Sequence, residues 1–348
     1  MPRLMKAEDI SNDGKWSRIL KMLPQDLEES ARDYGALVRR KKVPNAIALM
    51  RMELAYALSD LSIKDVAAWA SASGVSEITG PAFFYRFRDS ETWLKNVLGQ
   101  VLSEEVEPAP VGLSLRAVDA TVITGPGSTG TDWRAHVIID PVSGRIKSVE
   151  LTDARGGEGL SRHKVNQGEV VLGDRAYCTA RGIESTDQPG ADVVVRVSPH
   201  SFKVCDTNKT KLNLLSYESR IPAMGVISWD VSVPIPPDGF PGKTRKRWDL
   251  SKAKGWIPAR IVAGRTKECK VIWMLTTLGR DRLPDEAVLT LYRIRWQIEL
   301  MFKRLKSLLH LDALPSRDGP TSKSWLLARF LAAALAQKMV RPAGPFSL

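Results

Sequence analysis

Between residues 26 and 103, apolar positions recur at three- and four-residue spacing, as in Ala46-Leu49-Met50 and Leu54-Ala57-Leu58-Leu61, with few turn residues between them. That pattern predicts an all-helical amino-terminal domain, residues 1–110. Within it, Ser62 is placed to cap a helix over Ile63–Ser73, Gly74 to supply a turn, and Ser76 to begin a second helix carrying Arg86 and Arg88, which Pro81 interrupts. The outline is that of a helix-turn-helix, although glycine-linked helix pairs are also common in proteins that bind no DNA. The acidic, proline-bearing run from Glu104 to Pro110 reads as a linker.

From Leu115 the pattern changes to short β-branched runs between turn signals, the signature of a sheet. Strands are expected over Ala117–Ile123, Arg134–Asp140, Arg145–Leu151, Glu169–Leu172 and Asp192–Val197, with a helical stretch around Glu158–Val165 and another after Asp174. Residues 199–278, with short strands such as Ala223–Val233 and Lys270–Thr276, are too long and too structured for a loop and read as an inserted β-rich subdomain. An amphipathic helix over Asp285–Leu309 and an apolar one over Ser324–Met339 complete the pattern. The fold class expected is therefore α/β, with a core split into residues 111–198 and 279–348.

Composition narrows the function. No apolar run is long enough for export or membrane insertion, which places the protein in the cytoplasm with no membrane partner. Cys178, Cys205 and Cys269 are odd in number and widely spaced, so they are expected as buried small apolar residues, without a disulfide framework or zinc site. The net charge is +12, and its excess lies wholly after residue 116, because residues 1–116 hold 16 basic and 16 acidic side chains. Residues 199–278 alone hold 14 basic against 6 acidic. A polyanion such as DNA suits such a surface, since each neutralised phosphate releases condensed counterions, while a solvated basic face is the plain alternative.

Against that background three carboxylates stand out. Asp119 sits mid-strand between β-branched neighbours, where a charge is costly unless paired, and a metal would repay that cost. Asp174 ends the fourth strand in Leu172-Gly173-Asp174-Arg175-Ala176-Tyr177, and strand ends of α/β sheets are where ligands bind. On the helical period, Tyr292, Arg295, Glu299, Lys303 and Lys306 share one face beside an apolar stripe. By itself that face is equally an ordinary charged surface with i, i+4 pairs.

The spacing Tyr292-x2-Arg295-x3-Glu299-x6-Lys306 resembles the Y-R-E-K signature of DDE transposases of the insertion-sequence-four group, and Asp174-Arg175-Ala176-Tyr177 resembles the D-x-x-Y at that group's second aspartate. The similarity runs from about Leu115 to Lys338. It implies a ribonuclease H-like catalytic core, with Asp119, Asp174 and Glu299 as the catalytic and metal-binding triad, and residues 1–110 in front of it as the helical domain that binds the transposon ends, for which no residue-level motif is found. It also implies two Mg2+ ions, with Mn2+ able to substitute, because hard oxygen ligands select such ions. The activity implied is cut-and-paste transposition of an insertion sequence, by hydrolysis at the element's ends and transfer of the freed strand into target DNA. The partners are double-stranded DNA, comprising terminal inverted repeats and target, and a second copy in a homodimeric synaptic complex. Tyr292, Arg295, Lys303, Lys306, Arg175 and Tyr177 are expected at the DNA.

Lys243, Arg245, Lys246, Arg247 and Trp248 of the insertion, with Trp229 and Trp256, either grip and stack on displaced DNA or, for the tryptophans, pack the β subdomain. Two further readings keep these residues but change the function: a transposase-derived regulator that binds DNA without chemistry, and a hydrolytic nuclease without strand transfer. The presence of all three carboxylates argues against the first. With 49 residues after Glu299, the long dimerisation tail of some relatives is expected to be absent or shortened.

Overall fold

Alternation along the strands sends neighbouring side chains into two different apolar layers: Ala117 packs in one and Val118 in the other. This is the arrangement of a sheet covered on both faces. The computed structural model describes residues 13–103, 112–240, 249–266, 269–311 and 314–339.

Among the described residues six helices come first: α1 (Asp13–Leu20), α2 (Leu27–Asp33), α3 (Ala46–Leu58), α4 (Ile63–Ala72), α5 (Gly80–Asp89) and α6 (Glu91–Ser103). Local chemistry sets several of their ends. Asn45 caps α3 through the Ala48 amide, and Ser62 caps α4 in a reciprocal box with Asp65. Gly74 turns the chain with φ +67°, as expected. The second helix of this pair, however, begins at Gly80 rather than Ser76. Pro81 lies in its first turn, where a missing N–H costs nothing, so it starts the helix instead of interrupting it.

A single eight-stranded sheet follows, in the order β3-β2-β1-β4-β5-β8-β7-β6. Its members are β1 (Ser114–Ile123), β2 (Trp133–Ile139), β3 (Ile146–Asp153), β4 (Glu169–Gly173), β5 (Asp192–Arg196), β6 (Val226–Ile235), β7 (Gly255–Arg265) and β8 (Val271–Thr276). The first three are antiparallel, and β1, β4 and β5 run parallel. The stretch expected as an insertion is β-rich, but among the described residues its strands β6, β7 and β8 belong to this same sheet. β8 pairs antiparallel with β5, so β8, β7 and β6 continue the core sheet. The helical stretch expected near Glu158 is only a 3-10 turn at Leu160–Arg162. A short helix, α7 (Ala180–Asp187), lies between β4 and β5.

The chain closes with α8 (Asp285–Ile294), α9 (Trp296–Leu309) and α10 (Gly319–Met339). Almost every residue of α10 from Thr321 to Leu335 is buried, because it packs against α3, α5, α6, α9 and β3. It thereby joins the amino-terminal helices and one sheet face in one apolar layer. Cys178 and Cys205 are buried as expected, but Cys269 is exposed in a turn at φ +59°. No helix of the described residues is long and apolar enough to cross a membrane.

Candidate active site

The parallel register of β1 and β4 runs from Ser114 opposite Glu169 to Ala117 opposite Leu172, and an ion pair at 2.6 Å between Arg116 and the buried Glu169 fastens it. Continued by two residues, this register sets Asp119 level with Asp174, which follows β4 directly. A tight turn holds Asp174, its carbonyl accepting the Tyr177 amide at 2.9 Å. Gly173 is required there, since a Cβ would come within 2.9 Å of the Tyr177 Cβ.

The third carboxylate arrives by helix. The first residue of α8, Asp285, accepts hydrogen bonds from the Ser228 hydroxyl at 2.5 Å and from Arg280 at 3.2 Å, and it pairs with the buried Arg260. This anchor ties α8 to β6 and β7, and sequence reasoning missed it because its members are scattered over nearly sixty residues. From that anchored helix the Tyr292 hydroxyl donates to Asp174 Oδ1 at 3.2 Å.

The helix expected to run unbroken over Asp285–Leu309 is in fact two, parted at Arg295. Hydrogen bonds of i to i+3 type, Arg295 N–H to Tyr292 and Ile298 N–H to Arg295, tighten the chain there. Arg295 itself is buried. Its guanidinium donates to Glu299 Oε1 at 2.5 Å, lies 3.8 Å from Asp119 Oδ2, and stacks 5.4 Å from the Tyr292 ring centre. Tyr292 and Arg295 thus connect Asp174, Asp119 and Glu299 into one cluster.

The electrostatics show how unwelcome a third negative charge is. Burial above all, with Glu158 and Glu299 adding repulsion, raises the Asp119 carboxyl to about 6, against the pull of the Ala120 N–H and Arg295. Glu158 was not singled out from the sequence, where it lies in a glycine-rich turn with no motif around it. The Tyr292 phenol is pushed up to about 12, chiefly by burial, so it stays a hydrogen-bond donor. Among the described residues, no three carboxylate, His or Cys groups stand close enough to hold a metal ion as they are placed, and the cation among the acids is Arg295. In chemical type the donor set fits hard divalent ions: it is all oxygen, and repulsion between its members leaves it short of positive charge.

The remaining expected residues divide. Arg175 and Lys303 are exposed and Lys306 is half-buried on the same face of α9 as Glu299. Tyr177 is wholly buried against His163, with ring centres 6.2 Å apart, so the expected DNA contact is corrected to packing beneath the Asp174 turn. Lys243, Arg245, Lys246, Arg247 and Trp248 lie outside the described residues. Trp229 stacks on Trp273 at 5.9 Å, in keeping with a packing role, and Trp256 carries Lys209 over its ring at 5.4 Å.

The family described as the transposase DDE domain matches residues 111–335, which take in all three carboxylates. The chain belongs to the DDE transposase family. The transposase is 32% identical over 357 residues to InsL, the protein assigned as transposase of insertion sequence element IS186A in Escherichia coli (strain K12), covering 95% of each chain. It is also 32% identical over 358 residues to the transposase of insertion sequence element IS421 from Escherichia coli, again over 95% of each chain. Among solved structures, the piggyBac transposase in its synaptic complex with hairpin DNA matches with a TM-score of 0.47 and 10% identity, over 97% of this chain and 76% of that one. The protein is thus a DNA transposase of insertion-sequence type, in a family that works with divalent metal ions.

Proposed function

We propose that this transposase moves its insertion sequence by cut-and-paste transposition, with Asp119, Asp174 and Glu299 as the catalytic triad. The observation that carries this is the connected cluster in which Tyr292 and Arg295 join three carboxylates from a strand, the turn after a second strand, and a helix. The strand order β3-β2-β1-β4-β5, antiparallel then parallel, supports a ribonuclease H-like core, with β8-β7-β6 as the inserted part. The three carboxylates would hold two Mg2+ ions, with Mn2+ able to substitute. Bound there, the ions activate the attacking oxygen and stabilise the leaving one.

The protein's own residues do the rest. Arg295 is already charged and desolvated at the acids, so an incoming phosphate finds a fork of donors in place. Tyr292 remains protonated and donates to Asp174 or to a phosphate oxygen. Lys303 and Lys306 extend positive charge along α9, and exposed Arg175 adds to it, so that a DNA strand is held in register beside the carboxylates. The enzyme would act in the cytoplasm as a homodimer that pairs two terminal inverted repeats in a synaptic complex before joining them to target DNA.

The test is incubation with Mg2+ and duplex DNA carrying the terminal repeats that flank the coding region, followed by separation of nicked, cut and joined products. Cutting with joining is expected. Asp119→Ala, Asp174→Ala and Glu299→Ala should each abolish both steps while leaving DNA binding in place. Retained cleavage in any of them would overturn the triad.

A further inference from the structure

Residues 1–116 carry no net charge as a whole, yet the surface of the amino-terminal helices is uneven. Arg39, Arg40, Lys41 and Lys42 are consecutive and all exposed. They stand in a loop between two buried anchors, Leu37 and Val43.

The backbone of this loop is fixed from the helix pair α4–α5. The Arg86 guanidinium on α5 donates to the Arg39 carbonyl at 2.7 Å and to the Ala36 carbonyl at 3.4 Å. The Ser76 hydroxyl, in the turn between α4 and α5, donates to the Lys42 carbonyl at 2.9 Å. Both ends of the cationic run are therefore pinned through carbonyl oxygens, and all four of its residues are exposed. Arg40 is engaged by Glu28 at 2.5 Å, and the same carboxylate receives the Ala46 amide at 2.7 Å. Arg39, Lys41 and Lys42 form no ion pair among the described residues. Held at fixed spacing, three such charges repel one another in water, and a polyanion relieves that repulsion. Beside them on α5, Tyr85 is 55% exposed and carries Arg88 over its ring at 5.2 Å.

We propose that the pinned loop Arg39–Lys42, with the helix pair that pins it, is the surface that grips the phosphate backbone of duplex DNA at the transposon end. The proposal rests on the transposase reading above and assigns its end-binding surface. Arg39, Lys41 and Lys42 contact phosphates on one strand, and this sets the register in which α5 meets the groove. Arg86 acts as a positioning residue, working through the carbonyls it holds.

The experiment measures binding of the full chain to a fluorescent duplex carrying the terminal repeat, and to a scrambled duplex, by anisotropy across a salt series. The triple variant Arg39→Ser, Lys41→Ser, Lys42→Ser keeps Arg40 for Glu28. Its affinity for the end duplex should fall at least tenfold, with a salt dependence shallower by about two to three in the log–log slope, since each lost phosphate contact removes about 0.9. An unchanged slope, or a loss confined to the scrambled duplex, overturns the proposal. Arg86→Lys keeps the charge but lacks the fork, and should weaken end binding with less change in slope; binding equal to wild type overturns the positioning role. If the triple variant binds as wild type does and the wild type cuts, only this surface is wrong. If the wild type binds neither duplex, the transposase reading fails with it.

Discussion

Replacing Asp119 with asparagine should make the metal-free protein more stable while destroying its activity. The carboxyl titrates near 6 against an ordinary 3.8, mainly because it is buried. At about 1.4 kcal/mol per pH unit, that difference corresponds to about 3 kcal/mol of destabilisation borne by the folded state once the group is ionised. Below pH 4 the carboxyl is protonated in both folded and unfolded chains and contributes nothing. Between pH 4 and 6 the unfolded chain ionises first and stability falls; above pH 6 the loss is complete and constant. Asparagine is neutral throughout and can still accept the Ala120 amide, a bond of 2.8 Å in the native protein. The attraction to Arg295 at 3.8 Å is already contained in that titration, so the expected gain stays at about 3 kcal/mol. Urea unfolding of Asp119→Asn and wild type in chelator at pH 4, 6 and 8 measures the gap. It should be near zero at pH 4, open by pH 6 and stay open at pH 8. A variant less stable than wild type at pH 8, or a gap that ignores pH, would refute this account of the site. Adding Mn2+ should narrow the gap by stabilising only the wild type.

Two further outcomes follow from groups away from the acids. Glu53 on α3 is wholly buried, accepts the Ser90 hydroxyl at 2.5 Å, and is held well above the usual carboxylate range by burial. Stability of the wild type should therefore fall with rising pH, starting at the unfolded-state value and continuing up to the folded one; urea midpoints of Glu53→Gln should lose this share of the decline and keep the share due to Asp119. Phe330 on α10 has no exposed surface, and Phe330→Ala should cost about 3–5 kcal/mol. Because α10 touches both the helices and the sheet, calorimetry should show one transition moved down in temperature, and two separated transitions would contradict a shared core.

What the sequence disclosed is what local rules control. The strands from Ala117 to Val197 show as short β-branched runs between turn signals, as a sheet covered on both faces favours, and the Ser62 cap is written within four residues. Pro81 is ambiguous in the sequence because proline ends a helix in its interior but suits its first turn, and only the position decides which. The continuity of β5 with β8 joins residues about eighty positions apart, which no local pattern encodes. The break at Arg295 has neither proline nor glycine to announce it, so the periodicity that gathers Tyr292, Arg295 and Glu299 on one face passes through it unmarked. Tyr177 belongs to a motif of residue types, and residue types do not say which side of the turn a ring takes. The Arg39–Lys42 run vanished into a balanced sum over 116 residues; reading charge in short windows would have found it.

The buried helix α10 bears on how this chain can be taken apart. The described elements it packs against, α3, α5, α6, α9 and β3, all precede it in the order of synthesis. During translation the earlier helices and the sheet must wait, with matching apolar faces uncovered, until residues beyond 319 emerge. A fragment stopped before that point is no working half of a transposase but a chain missing its keystone. The amino-terminal helices likewise cannot be cloned away as a detachable reader of DNA, nor the sheet as a minimal nuclease, without baring the same surface. Regulatory short forms of such a protein would have to carry a substitute for this one helix.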